Sequence, residues 1–82
     1  MEKQIFSKEQ KILLALLRKM RESADLRQAD VAKLLGRHQS FVSKYEAGER
    51  RLDILELRHL CRVMGVPFAR FVADLDRRLR PL

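Results

Sequence analysis

Residues 28–46, QADVAKLLGRHQSFVSKYE, constrain the fold more than any other stretch of the chain. They read as two short amphipathic helices, at about residues 28–35 and 39–46, broken at Gly36. From the first, Val31, Ala32 and Leu35 are predicted to face inward; from the second, Val42 and Tyr45. Gly36 is expected in a left-handed conformation, which lets the first helix turn sharply into the second. Ala32 is small where the two helices must cross closely. The second helix is otherwise rich in small polar side chains.

A small alanine, a glycine four residues later and a buried Val42 together describe a helix-turn-helix. Three further helices complete an all-α, compact five-helix domain spanning residues 7–78, with the motif at helices two and three. The first helix begins at Ser7, where Ser7 and Gln10 form an S-x-x-Q capping box, and runs to about Ser23. Leu13, Leu16, Leu17 and Met20 give it a core stripe at i, i+3, i+4 and i+7, widened by Ile12 and Leu14. The fourth follows Asp53, with Glu56 completing a D-x-x-E box; Ile54, Leu57, Leu60, Cys61 and Met64 form its buried stripe, and Gly65 ends it. The fifth runs from about Pro67 to Arg78, with Phe68, Phe71, Val72, Leu75 and Leu79 on its apolar side. Residues 1–6 and 79–82 are expected to be flexible or dimer-contacting termini.

A domain of 82 residues buries only about 60–70% of its unfolded surface. Its single cysteine, Cys61, sits at core spacing and has no partner for a disulfide. Some stability is therefore expected from a partner subunit. Lys and Arg total 18 against 11 acids, a net charge of +7 that favours polyanions, since each neutralised phosphate releases counterions. The N-terminal MEKQIFSKEQK lacks the apolar core of a signal peptide. The longest apolar run, Ile12 to Leu17, is far short of the ~20 residues that span a bilayer. The basic residues do not segregate into one amphipathic helix, which argues against a membrane surface. A cytoplasmic protein is predicted.

With Val42 and Tyr45 buried, the third helix offers Gln39, Ser40, Phe41, Ser43 and Lys44. Gln39 and Ser40 lie in its first turn, the part that enters the major groove in helix-turn-helix proteins. A glutamine amide pairs with N6 and N7 of adenine, and Ser40 suits a base edge or a phosphate. Ser43 and Lys44 follow one turn on. Phe41 either touches a thymine methyl or packs on helix two or four. Gln28 opens the second helix, where free amides favour an anion. Arg27, Arg37, His38, Arg50 and Arg51 flank the motif and suit phosphate contacts, which set register without reading sequence. His38 also occupies a helix N-cap position, and His59 is read as a surface residue. Two histidines and one cysteine at unrelated spacings make no metal site, and no Gly-rich phosphate loop or nucleophile–base pair stands out. The chain reads as a non-enzyme with no cofactor.

The segments LRKMRESADLRQADVAKLLG, QSFVSKYEAGERRLD and LRHLCRVMGVPFARF, together running from about Leu17 to Val72, resemble the Xre-type helix-turn-helix family, which includes the lambdoid phage repressors and Cro. The resemblance implies a lambda-repressor-like domain that binds operator DNA as a twofold dimer. It implies that Gln28 and neighbouring amides grip phosphate, that Gln39, Ser40, Ser43 and Lys44 form the readout surface, and that Arg21 and Glu46 make a structural ion pair fixing the recognition helix. Three positions depart from the family pattern. Asp25 stands where glycine is common, Arg27 where a Ser or Thr cap is common, and Arg37 where an apolar residue is common.

The function expected is a sequence-specific transcriptional regulator, a nucleoid-associated repressor that binds a palindromic double-stranded operator as a homodimer. Its two half-sites would lie about 34 Å apart. Subunit contacts are expected from Ile5 or Phe6 with Leu14, or from Phe71, Leu75 and Leu79, unless these sets pack within one protomer. The alternative is an antitoxin or protein-interaction module that uses the same fold to bind a toxin or a polymerase subunit. An exposed apolar strip on helix five would favour that alternative.

Overall fold

The computed structural model describes residues 7–80. These form five helices, α1 Lys8–Ser23, α2 Gln28–Leu35, α3 Gln39–Glu46, α4 Ile54–Val63 and α5 Phe68–Leu79, with no strand among the described residues. The boundaries follow local chemistry. Ser7 Oγ accepts from the Gln10 N–H at 3.1 Å and starts α1. At α4, Asp53 Oδ1 accepts from the Glu56 N–H at 2.7 Å, and Glu56 Oε1 accepts from the Asp53 N–H at 3.0 Å, closing the capping box.

The first four helices end by one device. An N–H just past the helix returns to a carbonyl in its last turn: Leu26 to Arg21 at 3.2 Å, Arg37 to Ala32, Glu49 to Lys44 and Val66 to Cys61, each of the last three at 2.9 Å. That closure requires left-handed backbone at the residue before the returning N–H. Glycine supplies it in three cases, Gly36 among them with φ 70°, and Asp25 supplies it after α1 with φ 59°. A β-carbon in this region crowds the following carbonyl, so the α1–α2 turn carries backbone strain that the α2–α3 turn avoids.

α2 and α3 pack on each other, α1 lies across α3 and α5, and α4 bridges α2 and α5. Their shared core is Leu16, Leu17, Met20, Val31, Ala32, Val42, Tyr45, Leu60, Cys61, Met64 and Phe71. Burial pushes the Cys61 thiol up to about 11, which leaves it an inert core group.

Two apolar positions differ from the sequence expectation, and a third settles between two readings. Ile54 continues the α4 stripe in periodicity but is 63% exposed, its side of the first turn of α4 facing solvent. Val72 is 40% exposed, since α5 turns Phe68, Phe71 and Leu75 inward and leaves Val72 to the side. Phe71, read either as a subunit contact or as packing within one protomer, is 3% exposed and belongs to the protomer's own core, so it is not available to a second subunit. Leu14 and Leu75 are half-buried against that core, and Leu79 is half-buried beside the start of α1. Ile5 and Phe6 lie outside the described residues.

α3 is oriented by a buried charge. The Glu46 side chain is 4% exposed and that of Arg21 is 11% exposed. Arg21 Nε donates to Glu46 Oε2 at 2.7 Å and Nη2 donates to Oε1 at 3.1 Å. Arg21 Nη1 donates to the Leu26 carbonyl at 2.9 Å, and Gln28 Nε2 donates to Glu46 Oε1 at 2.9 Å. One carboxylate thus ties α1, the α1–α2 turn and α2 to the last residue of α3. The hydrogen bonds to Glu46 hold the Arg21 guanidinium above the usual arginine range, against the opposing effect of its burial.

Two outcomes follow for stability. Glu46→Leu leaves Arg21 buried without its counterion and is expected to cost about 3–5 kcal/mol, whereas adding Arg21→Met recovers much of that loss. A double-mutant cycle by urea unfolding checks it; simple additivity would show that the two residues are not coupled. Asp25→Gly relieves the left-handed strain and is expected to raise stability by about 0.5–1 kcal/mol. An unchanged or lower urea midpoint would contradict that.

Candidate nucleic-acid interface

α3 has one face committed to the core and one left open. Val42 and Tyr45 are buried, and Glu46 is bonded to α1 and α2. On the other side Gln39, Ser40 and Lys44 are exposed. Ser43 is half-buried, and its hydroxyl donates to the Ser40 carbonyl at 3.2 Å, so its oxygen faces a partner as an acceptor. His38 is the N-cap residue by position, but its side chain makes no capping bond, and the first turn of α3 carries no acid. The leading amides of α3 thus have neither a side-chain cap nor an acid in their own turn to offset the positive end of the helix dipole.

The residues expected to grip phosphate divide into groups. Gln28 has its side-chain amide turned inward: Nε2 donates to the buried Glu46 carboxylate at 2.9 Å. Arg27 folds back on its own helix, with Nε and Nη2 donating to Asp30 at 3.1 and 3.0 Å. Asp30 Oδ2 also accepts from the Arg27 N–H at 2.8 Å, the half of a capping box that the N3 residue supplies; the guanidinium of Arg27 cannot accept in return as a Ser or Thr would. The Arg27 guanidinium lowers the Asp30 carboxyl to about 2. Arg51 is exposed and lines a groove of about 460 Å³ with Ser7, Gln10, Leu13, Leu75 and Leu79, at the α1–α5 side of the molecule.

Arg37 and Arg50 converge on Phe41. Their guanidinium carbons lie 3.9 and 4.8 Å from the ring centroid, and the ring packs edge-on against Tyr45 with centroids 5.5 Å apart. Phe41 is therefore half-buried under two cations, which favours the packing reading over contact with a thymine methyl. Glu56 faces the same pair. Arg50 Nη1 and Nη2 donate to its two oxygens at 2.9 and 2.8 Å, and Arg37 Nη1 stands 3.5 Å from Oε2. The hydrogen bond from Arg50, reinforced by the Asp53 N–H, holds the Glu56 carboxyl below its ordinary range.

Sequence reasoning missed this second task of Glu56, which it read only as a capping residue. The residue six positions earlier reaches it across a loop, a spacing with no helical signature. Arg18, 4.0 Å from Glu46, was also missed, although it lies one turn ahead of Glu22 on the exposed side of α1.

Comparisons with known proteins agree with this geometry. A family model described as "Helix-turn-helix domain" matches residues 12–71. The structure is similar to that of an XRE-family like protein from Pseudomonas syringae pv. tomato str. DC3000, with 38% sequence identity, 95% of each chain covered and a TM-score of 0.84. No curated protein matches the chain. A five-helix fold with α2 and α3 packed as a helix-turn-helix, together with both likenesses, places this chain in the Xre-type helix-turn-helix family of DNA-binding regulators.

Proposed function

We propose that this chain is a sequence-specific transcriptional regulator, a repressor that binds a palindromic double-stranded operator as a homodimer and reads bases with Gln39, Ser40, Ser43 and Lys44. The observation that carries the reading is the two-sided character of α3. Its inner side is fixed by Val42, Tyr45 and Glu46, while its outer side presents an amide, hydroxyls and an amine beside an uncapped N-terminus. That is the form a major-groove probe takes: a rigid helix whose first turn carries base-edge donors and acceptors. The net charge of +7 supplies the sequence-independent attraction to phosphate.

The alternative, a module for a toxin or polymerase partner, called for an exposed apolar strip on α5. That strip packs inward, with Val72 alone among its five residues exposed. DNA is the better-supported ligand.

Selecting duplexes from a random pool is expected to return a twofold-symmetric site. On that site the Gln39→Ala/Lys44→Ala double variant is expected to bind about 10- to 100-fold more weakly, as loss of a base contact of about 1–3 kcal/mol implies. Fluorescence anisotropy titration measures both proteins. Equal affinity of variant and wild type would remove these residues from the readout, and an asymmetric single site would remove the twofold dimer.

A further inference from the structure

We propose that Glu56 withholds Arg50 from DNA phosphate, and that Arg37, laid on the Phe41 ring, is the arginine this cluster offers to the backbone. The inference rests on the reading of α3 as the DNA-facing helix.

The two arginines share a ring and a carboxylate but are held unequally. Arg50 makes three hydrogen bonds, two forked onto Glu56 at 2.8 and 2.9 Å and one to the Arg51 carbonyl at 2.7 Å. A forked guanidinium–carboxylate pair is among the strongest polar contacts a protein makes near its surface. Its carboxylate is itself anchored, since Glu56 Oε1 also closes the cap of α4. Turning Arg50 toward a phosphate would break the fork and strip Glu56 of its principal counterion. Arg37 gives up far less, a single 3.5 Å contact. Its guanidinium lies 3.9 Å from the Phe41 centroid, so the ring supports the flat cation and keeps its N–H edge available.

Position points the same way. Arg37 and His38 lead directly into the uncapped N-terminus of α3, so an anion held there has the Arg37 backbone two residues from the first helical amide. Arg50 comes from the loop after that helix, and its guanidinium reaches the Phe41 ring from there at 4.8 Å, farther than that of Arg37. Two guanidiniums on one carboxylate leave one net positive charge, which the hydrogen bonding assigns to Arg37. Glu56 thereby becomes a positioning residue for the interface: it fixes Arg50 as a strut between the loop after α3 and the start of α4, and sets how many phosphates the cluster neutralises.

Counterion release measures that number. Binding to a random-sequence duplex is followed by anisotropy across a range of salt, where each phosphate neutralised adds about 0.9 to the magnitude of the slope of log K against log salt. Arg37→Gln is expected to flatten the slope by about 0.9. The Arg50→Gln/Glu56→Gln double variant, which deletes a closed pair, is expected to leave it unchanged. Glu56→Gln alone releases Arg50 and is expected to steepen it by up to about 0.9. A merely structural role for Glu56 would not steepen it. If the double variant flattens the slope as Arg37→Gln does, or if folded Glu56→Gln leaves it unchanged, the inference is overturned.

Circular dichroism establishes that each variant is folded. Should Glu56→Gln unfold, the side-chain NMR signals of the wild-type arginines decide: addition of duplex shifts those of Arg37 and not those of Arg50, and the reverse pattern overturns the inference. Wild-type protein that binds no duplex, or binds without salt dependence, would bring down the DNA reading itself and the inference with it. Salt-dependent wild-type binding with the wrong variant pattern would bring down the inference alone.

Discussion

The buried carboxylate of Glu46 is the constraint on which the rest of this small fold depends. A charge 4% exposed is tolerable only when its lone pairs are satisfied, and here Arg21 and Gln28 satisfy them from two different helices. Satisfying Glu46 therefore assembles α1, α2 and α3 around one point. Val42 and Tyr45 set the depth of α3 in the core, while the carboxylate sets its rotation and register. The exposed residues of α3 inherit their direction from that bond.

The basic charge of the chain is less available than its total implies. Arg21 is consumed inside, Arg27 is folded onto Asp30, and Arg50 is forked onto Glu56. These arginines act as struts, which suits guanidinium because a planar fork orients its partner as well as neutralising it. Among the cations left outward, Lys44 and the Phe41-supported Arg37 lie on α3 and in the turn that leads into it, while Lys33, Arg51, Arg58 and Arg62 are exposed elsewhere. Net charge thus describes an overall affinity for polyanions, and the pairing pattern decides which of these arginines can contribute to it.

Local signals made most of the fold legible in the sequence. Ser7, Asp53 and Gly36 each act within a few residues of themselves, so α1, α2 and α4 begin or end where such signals place them. The Arg21–Glu46 contact, 25 residues apart, was visible only as an implication of family resemblance, because no local pattern encodes it. Gln28 read as a free phosphate donor for the same reason: its partner arrives from another helix. Ile54 and Phe71 show the limit of periodicity, which identifies an apolar face without saying whether a neighbour or solvent meets it. Arg50 and Glu56 were each noticed singly, and only the folded loop between α3 and α4 joins them.

The left-handed turn at Gly36 and the long-range bond at Glu46 act at different stages of folding. Helices joined by a short turn meet quickly, since little chain must be closed to bring them together, and α2 and α3 are such a pair. The bond to Arg21 forms only once α1, distant in the chain, has docked. α3 is thus an early structure with a late orientation. A fluctuation that lifts α1 leaves α3 helical and still packed on α2, yet no longer aimed.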